Sequence, residues 1–163
     1  LYMYTKKGRL QGIVKALKYK SQPMVGVDMG QVYGEKLKAA EMMRGVEALI
    51  PVPLHRSRLA QRGYNQSEKI AEGLTAELEI PIVTDCLVRS KKTATQTKKG
   101  REARYENMKE SFEVQGTPPR SVALVDDVVT TGATLEACIQ ALMAHPEPPE
   151  KVFILALGMA KHD

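Results

Sequence analysis

Short apolar runs alternate along this chain with stripes of helical period, an order that predicts strands and helices in succession. From Gly8 to Lys20, Leu10, Ile13, Val14 and Leu17 recur on one helix face, and Gln31 to Met43 predicts a second helix. Ala48 to Val52 predicts a strand whose exit is stiffened by Pro51 and Pro53, leading into a loop at His55, Arg56, Ser57 and Arg58. Asn65 followed by Glu68 has the pattern of a capping box, opening a helix that buries Ile70, Ala71, Leu74 and Leu78. Pro81 to Val88 predicts another strand. Val122 to Val125 is apolar on both faces, as the centre of a parallel sheet requires. A helix from Ala133 to Ala144 and a strand from Lys151 to Leu157 complete the pattern. The connections are short and no internal repeat interrupts them, so a single three-layer α/β domain is expected over residues 1–163, a parallel sheet flanked by helices.

The strongest chemical signal is Ser121 to Leu135, reading SVALVDDVVTTGATL. A buried strand runs into Asp126 and Asp127, placed by this pattern at its exposed carboxyl end, where open α/β sheets bind ligands. Thr130, Thr131, Gly132, Ala133 and Thr134 then offer hydroxyls and backbone N–H groups at a helix start, where the helix dipole favours an anion. Carboxylates repel phosphate, so two of them beside such a cradle make sense if they hold hydroxyls, a divalent cation, or both. Ribose 5-phosphate offers hydroxyls at the needed distance. The alternative is a turn whose Asp and Thr residues merely cap the next helix, but a cap needs one such residue rather than this series.

Length and composition change the picture little. A chain of 163 residues buries one good core. Cys86 and Cys138 are far apart, so neither a zinc site nor a disulfide framework is expected, and a reducing cytoplasm is the default. No apolar run approaches the roughly 20 residues of a membrane span, and LYMYTKKGRL lacks the apolar core of a signal peptide. Without an initiator methionine, Leu1 is expected to follow a tag, a processed end or an upstream segment.

Charge is less even. From Arg89 to Arg104, seven Lys or Arg face one Glu102, a local balance of +6 against +5 for the whole chain. Interspersed Thr, Ala and Gly without apolar periodicity predict a mobile basic loop between a strand and a short helix. A basic loop of this kind suits an anionic ligand, although a solvated surface loop would read the same way.

The Ser121 to Leu135 segment resembles the phosphoribosyl pyrophosphate motif of the type I phosphoribosyltransferases. Two further stretches resemble the ComF family of phosphoribosyltransferase-like proteins, which includes competence proteins of DNA uptake. The first is PVPLHRSRLAQRGYNQS, Pro51 to Ser67, with an RGxNQ signature at Arg62, Gly63, Asn65 and Gln66. In the second, Arg89, Thr93, Gln96, Arg104, Asn107 and Phe112 fall at the family's spacing, with Lys99 where an apolar residue is common.

The resemblance implies a type I phosphoribosyltransferase fold in which residues 1–43 contribute a small hood and residues 44–163 form the core. It implies that Asp126 and Asp127 contact ribose hydroxyls, with or without Mg²⁺, and are the residues on which catalysis depends. Thr130, Thr131, Gly132, Ala133 and Thr134 would hold the 5-phosphate. Leu54, His55 and Arg56 match the pyrophosphate loop, and Arg89, Gln96, Lys98, Lys99 and Arg104 the flexible closing loop. Many ComF-like proteins carry a cysteine-rich zinc segment ahead of this domain. Nothing of that kind precedes Leu10, so zinc is not expected. The family also resembles the transferase half of amidophosphoribosyltransferase, whose glutamine-hydrolysing half needs an N-terminal cysteine where this chain has leucine.

Two functions are consistent with these residues. One is a Mg²⁺-dependent phosphoribosyltransferase that uses phosphoribosyl pyrophosphate and an unidentified nitrogen acceptor. The other is a non-catalytic competence protein that holds a phosphorylated ligand or single-stranded DNA, alone or with competence-machinery proteins. Both ligands are polyanions, which suits the positive balance. The absence of Trp, with Tyr105 alone at the edge of the basic stretch, weighs against base stacking. Self-association into a homo-oligomer is compatible with either.

Overall fold

The structure, a computed structural model, describes residues 2–4, 9–19, 22–90 and 111–160. Its elements are β1 (Tyr2–Tyr4), α1 (Arg9–Tyr19), α2 (Met24–Ala39), β2 (Ala48–Pro51), α3 (Arg56–Arg62), α4 (Gln66–Leu78), β3 (Leu87–Ser90), β4 (Ser111–Val114), β5 (Ser121–Val129), α5 (Ala133–Met143) and β6 (Lys151–Ala160). Four strands form a parallel sheet in the order β1-β6-β5-β2, and β3 pairs with β4 in a separate antiparallel ribbon.

Alternation along β5 explains the layers. Ala123 and Val125 join Val14, Leu17, Leu49, Ile70 and Leu74 in a core beneath α1, α2 and α4. Val122 and Leu124 turn the other way, to Leu87, Phe112, Leu135, Cys138 and Leu142 beneath α5 and the ribbon. Val122 to Val125 are each 0% exposed, so this strand is buried on both faces as its sequence predicts. Of the 43 N-terminal residues expected to contribute to a hood, Val14, Leu17, Leu37 and Met43 belong to the first core. Residues 2–4 pair with Gly158, Met159 and Ala160 at one sheet edge.

Several boundaries differ from expectation for physical reasons. Helix α2 begins at Met24, well before Gln31, because its run of Gly26, Gly30 and Gly34 is a packing surface rather than a helix breaker. It lies against α4 so closely that a Cβ on Gly30 would sit 2.2 Å from the Ile70 carbonyl oxygen and 2.9 Å from the Gly73 Cα. The predicted His55 to Arg58 loop is instead the start of α3. This helix buries none of its side chains, so no apolar periodicity announces it. The Pro81 to Val88 strand reduces to a single Leu49 to Ile82 bridge, followed by β3 in the antiparallel ribbon. Arg89 therefore lies in a strand, and not at the start of a loop.

Candidate ligand site at the carboxyl edge of the sheet

Because β2 and β5 run parallel, with Pro51 opposite Val125, the loops that leave both strands start at the same edge. The Val52 N–H closes this junction by donating to the Val125 carbonyl at 2.9 Å. Asp126 is the next residue on β5. The ladder to β6 continues past it to Val129, so the acidic pair sits inside the strand's last turns of pleat rather than at an exposed end. Asp127 is 6% exposed, which corrects the expectation of an open position for it.

The pair is held by named donors. Asp126 Oδ1 accepts from Ser67 Oγ at 3.2 Å and from the Asp127 N–H at 2.8 Å. Asp127 Oδ1 accepts from the Val128 N–H at 2.8 Å. Asp127 Oδ2 lies 2.7 Å from Lys18 Nζ, an ion pair whose angles do not make it a hydrogen bond. Burial, reinforced by the Asp127 charge, pushes the Asp126 carboxyl up to about 6. The Asp127 N–H, Lys18 and the Ser67 hydroxyl pull in the opposite direction without offsetting it.

The threonine loop follows directly. Gly132 has φ +80° with open space where a Cβ would stand, so its glycine serves backbone conformation and not packing. That left-handed turn starts α5, whose N-cap residue has no side chain to cap with and whose positive dipole end faces the loop. Thr131 Oγ1 accepts weakly from the Ala133 N–H at 3.4 Å, and Thr130, Thr131 and Ala133 are exposed. On the β2 side, Leu54 and His55 are half-buried and Arg56 is exposed. His55 caps α3 by accepting from the Ser57 N–H at Nδ1, which leaves the proton of a neutral ring on Nε2 as a donor.

Three residues of one short stretch tie these parts together. Tyr64 donates its hydroxyl to the Leu17 carbonyl, fixing the end of α1 one residue before Lys18. Asn65 donates through Nδ2 to the Val52 carbonyl at 3.0 Å and accepts at Oδ1 from the Ser67 N–H at 3.1 Å. Ser67 reaches Asp126, and Gln66 between them is buried. The RGYNQS stretch thus fastens α1, the end of β2 and the acidic pair.

No protein-family model matches the chain. Over 102 residues it is 40% identical to competence protein F of Haemophilus influenzae, an alignment covering 60% of this chain and 44% of that protein. It is 34% identical over 113 residues to the DNA utilization protein YhgH of Escherichia coli O157:H7, covering 67% of this chain and 48% of that one. Competence protein ComFC of Bacillus subtilis is 30% identical over 98 residues, 58% of this chain and 38% of the relative. The chain belongs to the ComF family. It spans about half the length of these ComF relatives or less. Among solved structures, a hypothetical protein from Neisseria gonorrhoeae with bound ppGpp is similar at TM-score 0.45 and 17% identity, over 81% of this chain and 65% of that one.

Of the residues picked out by the resemblance, Asp126 and Asp127 lie in the last residues of β5, and Leu54, His55, Arg56 and Thr130 to Thr134 follow β2 and β5 at this one edge. Arg89 stands apart on the ribbon, its guanidinium 5.6 Å from the ring centre of Phe112, its partner on β4. Gln96, Lys98, Lys99 and Arg104 lie outside the described residues. The sequence reading missed Lys18 and the role of Ser67. Lys18 carries no motif, whereas Ser67 directly follows RGxNQ and could have been tested with it. Among the described residues no group of three or more His, Cys, Asp or Glu side chains could hold a metal ion, and no helix is long and apolar enough to cross a membrane.

Proposed function

We propose that this ComF-family chain binds phosphoribosyl pyrophosphate at the carboxyl edge of its sheet and transfers the phosphoribosyl group to a nitrogen acceptor, releasing pyrophosphate. The observation that carries the reading is the shared edge: the acidic pair lies in the last residues of β5, the Thr130 to Thr134 turn follows it, and the loop after β2 leaves the adjacent parallel strand. In this reading the turn and the N-terminal end of α5 hold the 5-phosphate. Asp126, through the oxygen not taken by Ser67, accepts from a ribose hydroxyl. Leu54, His55 and Arg56 meet the diphosphate through backbone N–H groups, the His55 Nε2 proton and a guanidinium. The reaction builds positive charge on the sugar ring as pyrophosphate departs, so cations at the leaving group and water exclusion are the main catalytic terms.

Mg²⁺ fits the protein donors in part. Asp126 keeps one oxygen that accepts no protein donor among the described residues, whereas the buried oxygen of Asp127 already faces Lys18. A divalent ion accompanying the diphosphate would supply charge neutralisation at the leaving group.

A second reading follows from α3. Arg56 and Arg58 are exposed on a helix with no acidic residue and no buried side chain, at the mouth of the same edge. Such a surface suits a polyanion, and relatives named for competence and DNA utilization suit a role in DNA handling without catalysis. Calorimetric titration of phosphoribosyl pyrophosphate, with and without Mg²⁺ at physiological salt, separates the two. Micromolar, Mg²⁺-dependent binding supports the transferase. Absence of binding, with salt-dependent binding of single-stranded DNA that Arg56→Gln plus Arg58→Gln abolishes, supports the second reading.

A further inference from the structure

We infer that Lys18 is the resident counter-cation of the acidic pair, occupying the Asp127 oxygen a divalent ion would need, so that the free protein takes no metal there. This deepens the proposed function and rests on its reading of the pair as a ligand site. The ammonium is 2.7 Å from Asp127 Oδ2, and the carboxylate's other oxygen is committed to the Val128 N–H. Mg²⁺ and Mn²⁺ hold their ligands in an octahedron and usually keep several waters. An ion arriving at Asp127 would have to displace the ammonium from Oδ2, and the lysine brings its charge on a chain already anchored in the protein. Lys18 is not a wandering surface side chain. Leu17, immediately before it, is 0% exposed in the core, and its carbonyl is pinned by the Tyr64 hydroxyl. The last turn of α1 is thereby aimed at the last residues of β5. A divalent ion that takes part in the chemistry then enters with the phosphorylated ligand and is not stored on Asp127.

The test titrates Mn²⁺ alone, read by the electron paramagnetic resonance of free Mn²⁺, into wild type, Lys18→Met, Lys18→Arg, Asp127→Asn and the Lys18→Met/Asp127→Asn pair. Wild type and Lys18→Arg are expected to show no saturable micromolar site. Lys18→Met should bind Mn²⁺ at least tenfold more tightly, and the double variant should lose that gain. Saturable binding to wild type that Asp127→Asn abolishes overturns the inference without any Lys18 variant, so a misfolded Lys18→Met does not shelter it. A folded Lys18→Met with no gain overturns it as well. Failure of wild type to bind phosphoribosyl pyrophosphate sinks the transferase reading and leaves the Mn²⁺ result to stand or fall separately.

Discussion

Replacing Asp126 by Asn should make the protein more stable at neutral pH, and the structure sets the size of the gain. Asn can keep both acceptor contacts at Oδ1, from Ser67 Oγ and the Asp127 N–H, while removing the charge. That charge is unfavourable in the folded state, because burial and Asp127 raise the carboxyl from 3.8 to about 6. The sign follows from proton binding. Between about pH 4 and 6 the folded protein holds a proton that the unfolded chain has released, so stability falls as pH rises through this window and stays lower above it. At roughly 1.4 kcal/mol per unit, the penalty at pH 7.5 is about 3 kcal/mol. Urea unfolding of wild type and Asp126→Asn at pH 4, 5, 6 and 7.5 measures it. The two should be close at pH 4 and diverge to a midpoint difference of about 1.5 M at pH 7.5, for a urea dependence of about 2 kcal/mol per M. A difference independent of pH, or an Asn variant less stable than wild type at pH 7.5, would refute the assignment of a destabilising buried charge to this position. The same variant is expected to lose affinity for phosphoribosyl pyrophosphate, a trade of binding for stability.

Three further outcomes are expected. Asp127→Asn keeps an acceptor for the Val128 N–H but leaves Lys18 without its anion, so it should cost about 1 to 2 kcal/mol by urea unfolding and weaken phosphoribosyl pyrophosphate at least tenfold by calorimetry. Gly30→Ala drives a methyl into the backbone of α4 and should destabilise by about 1 to 3 kcal/mol, while Gly12→Ala, with nothing within 4 Å, should stabilise by about 0.5 to 1 kcal/mol; thermal melts distinguish them. Ser67→Ala removes a hydrogen bond that lowers the Asp126 carboxyl, so carboxyl-carbon NMR should show Asp126 titrating at a higher pH than in wild type. An unmoved titration would detach Ser67 from the site.

What was legible in the sequence follows from what leaves a local trace. The β5 strand, its acidic pair and the threonine turn lie within fifteen residues, and each is marked by burial pattern or residue type. The helix carrying Ile70, Ala71 and Leu74 announces itself by period, and Asn65 does cap it, with Ser67 as the donor. Helix α3 left no trace because it buries nothing, and α2 was shortened because glycines four apart look like weak helix. The partner of that surface, Gly73, lies some forty residues on. Lys18 could not be found from local pattern, since its meaning depends on a carboxylate 109 positions away that the fold brings to 2.7 Å. The β1 strand, three residues long, is likewise defined by its neighbour β6 and not by its own composition.

Tyr64, Asn65 and Ser67 grip three different parts of the site from one short stretch of backbone, so those parts have no independent adjustment. A designer who wished to reposition α1 could not do so by editing α1 alone. The same movement would pass through Leu17 and Tyr64 to the grip on Asp126. Redesigning this site therefore calls for substitutions chosen in sets that span α1 and the Tyr64 to Ser67 stretch, with single changes expected to behave as losses.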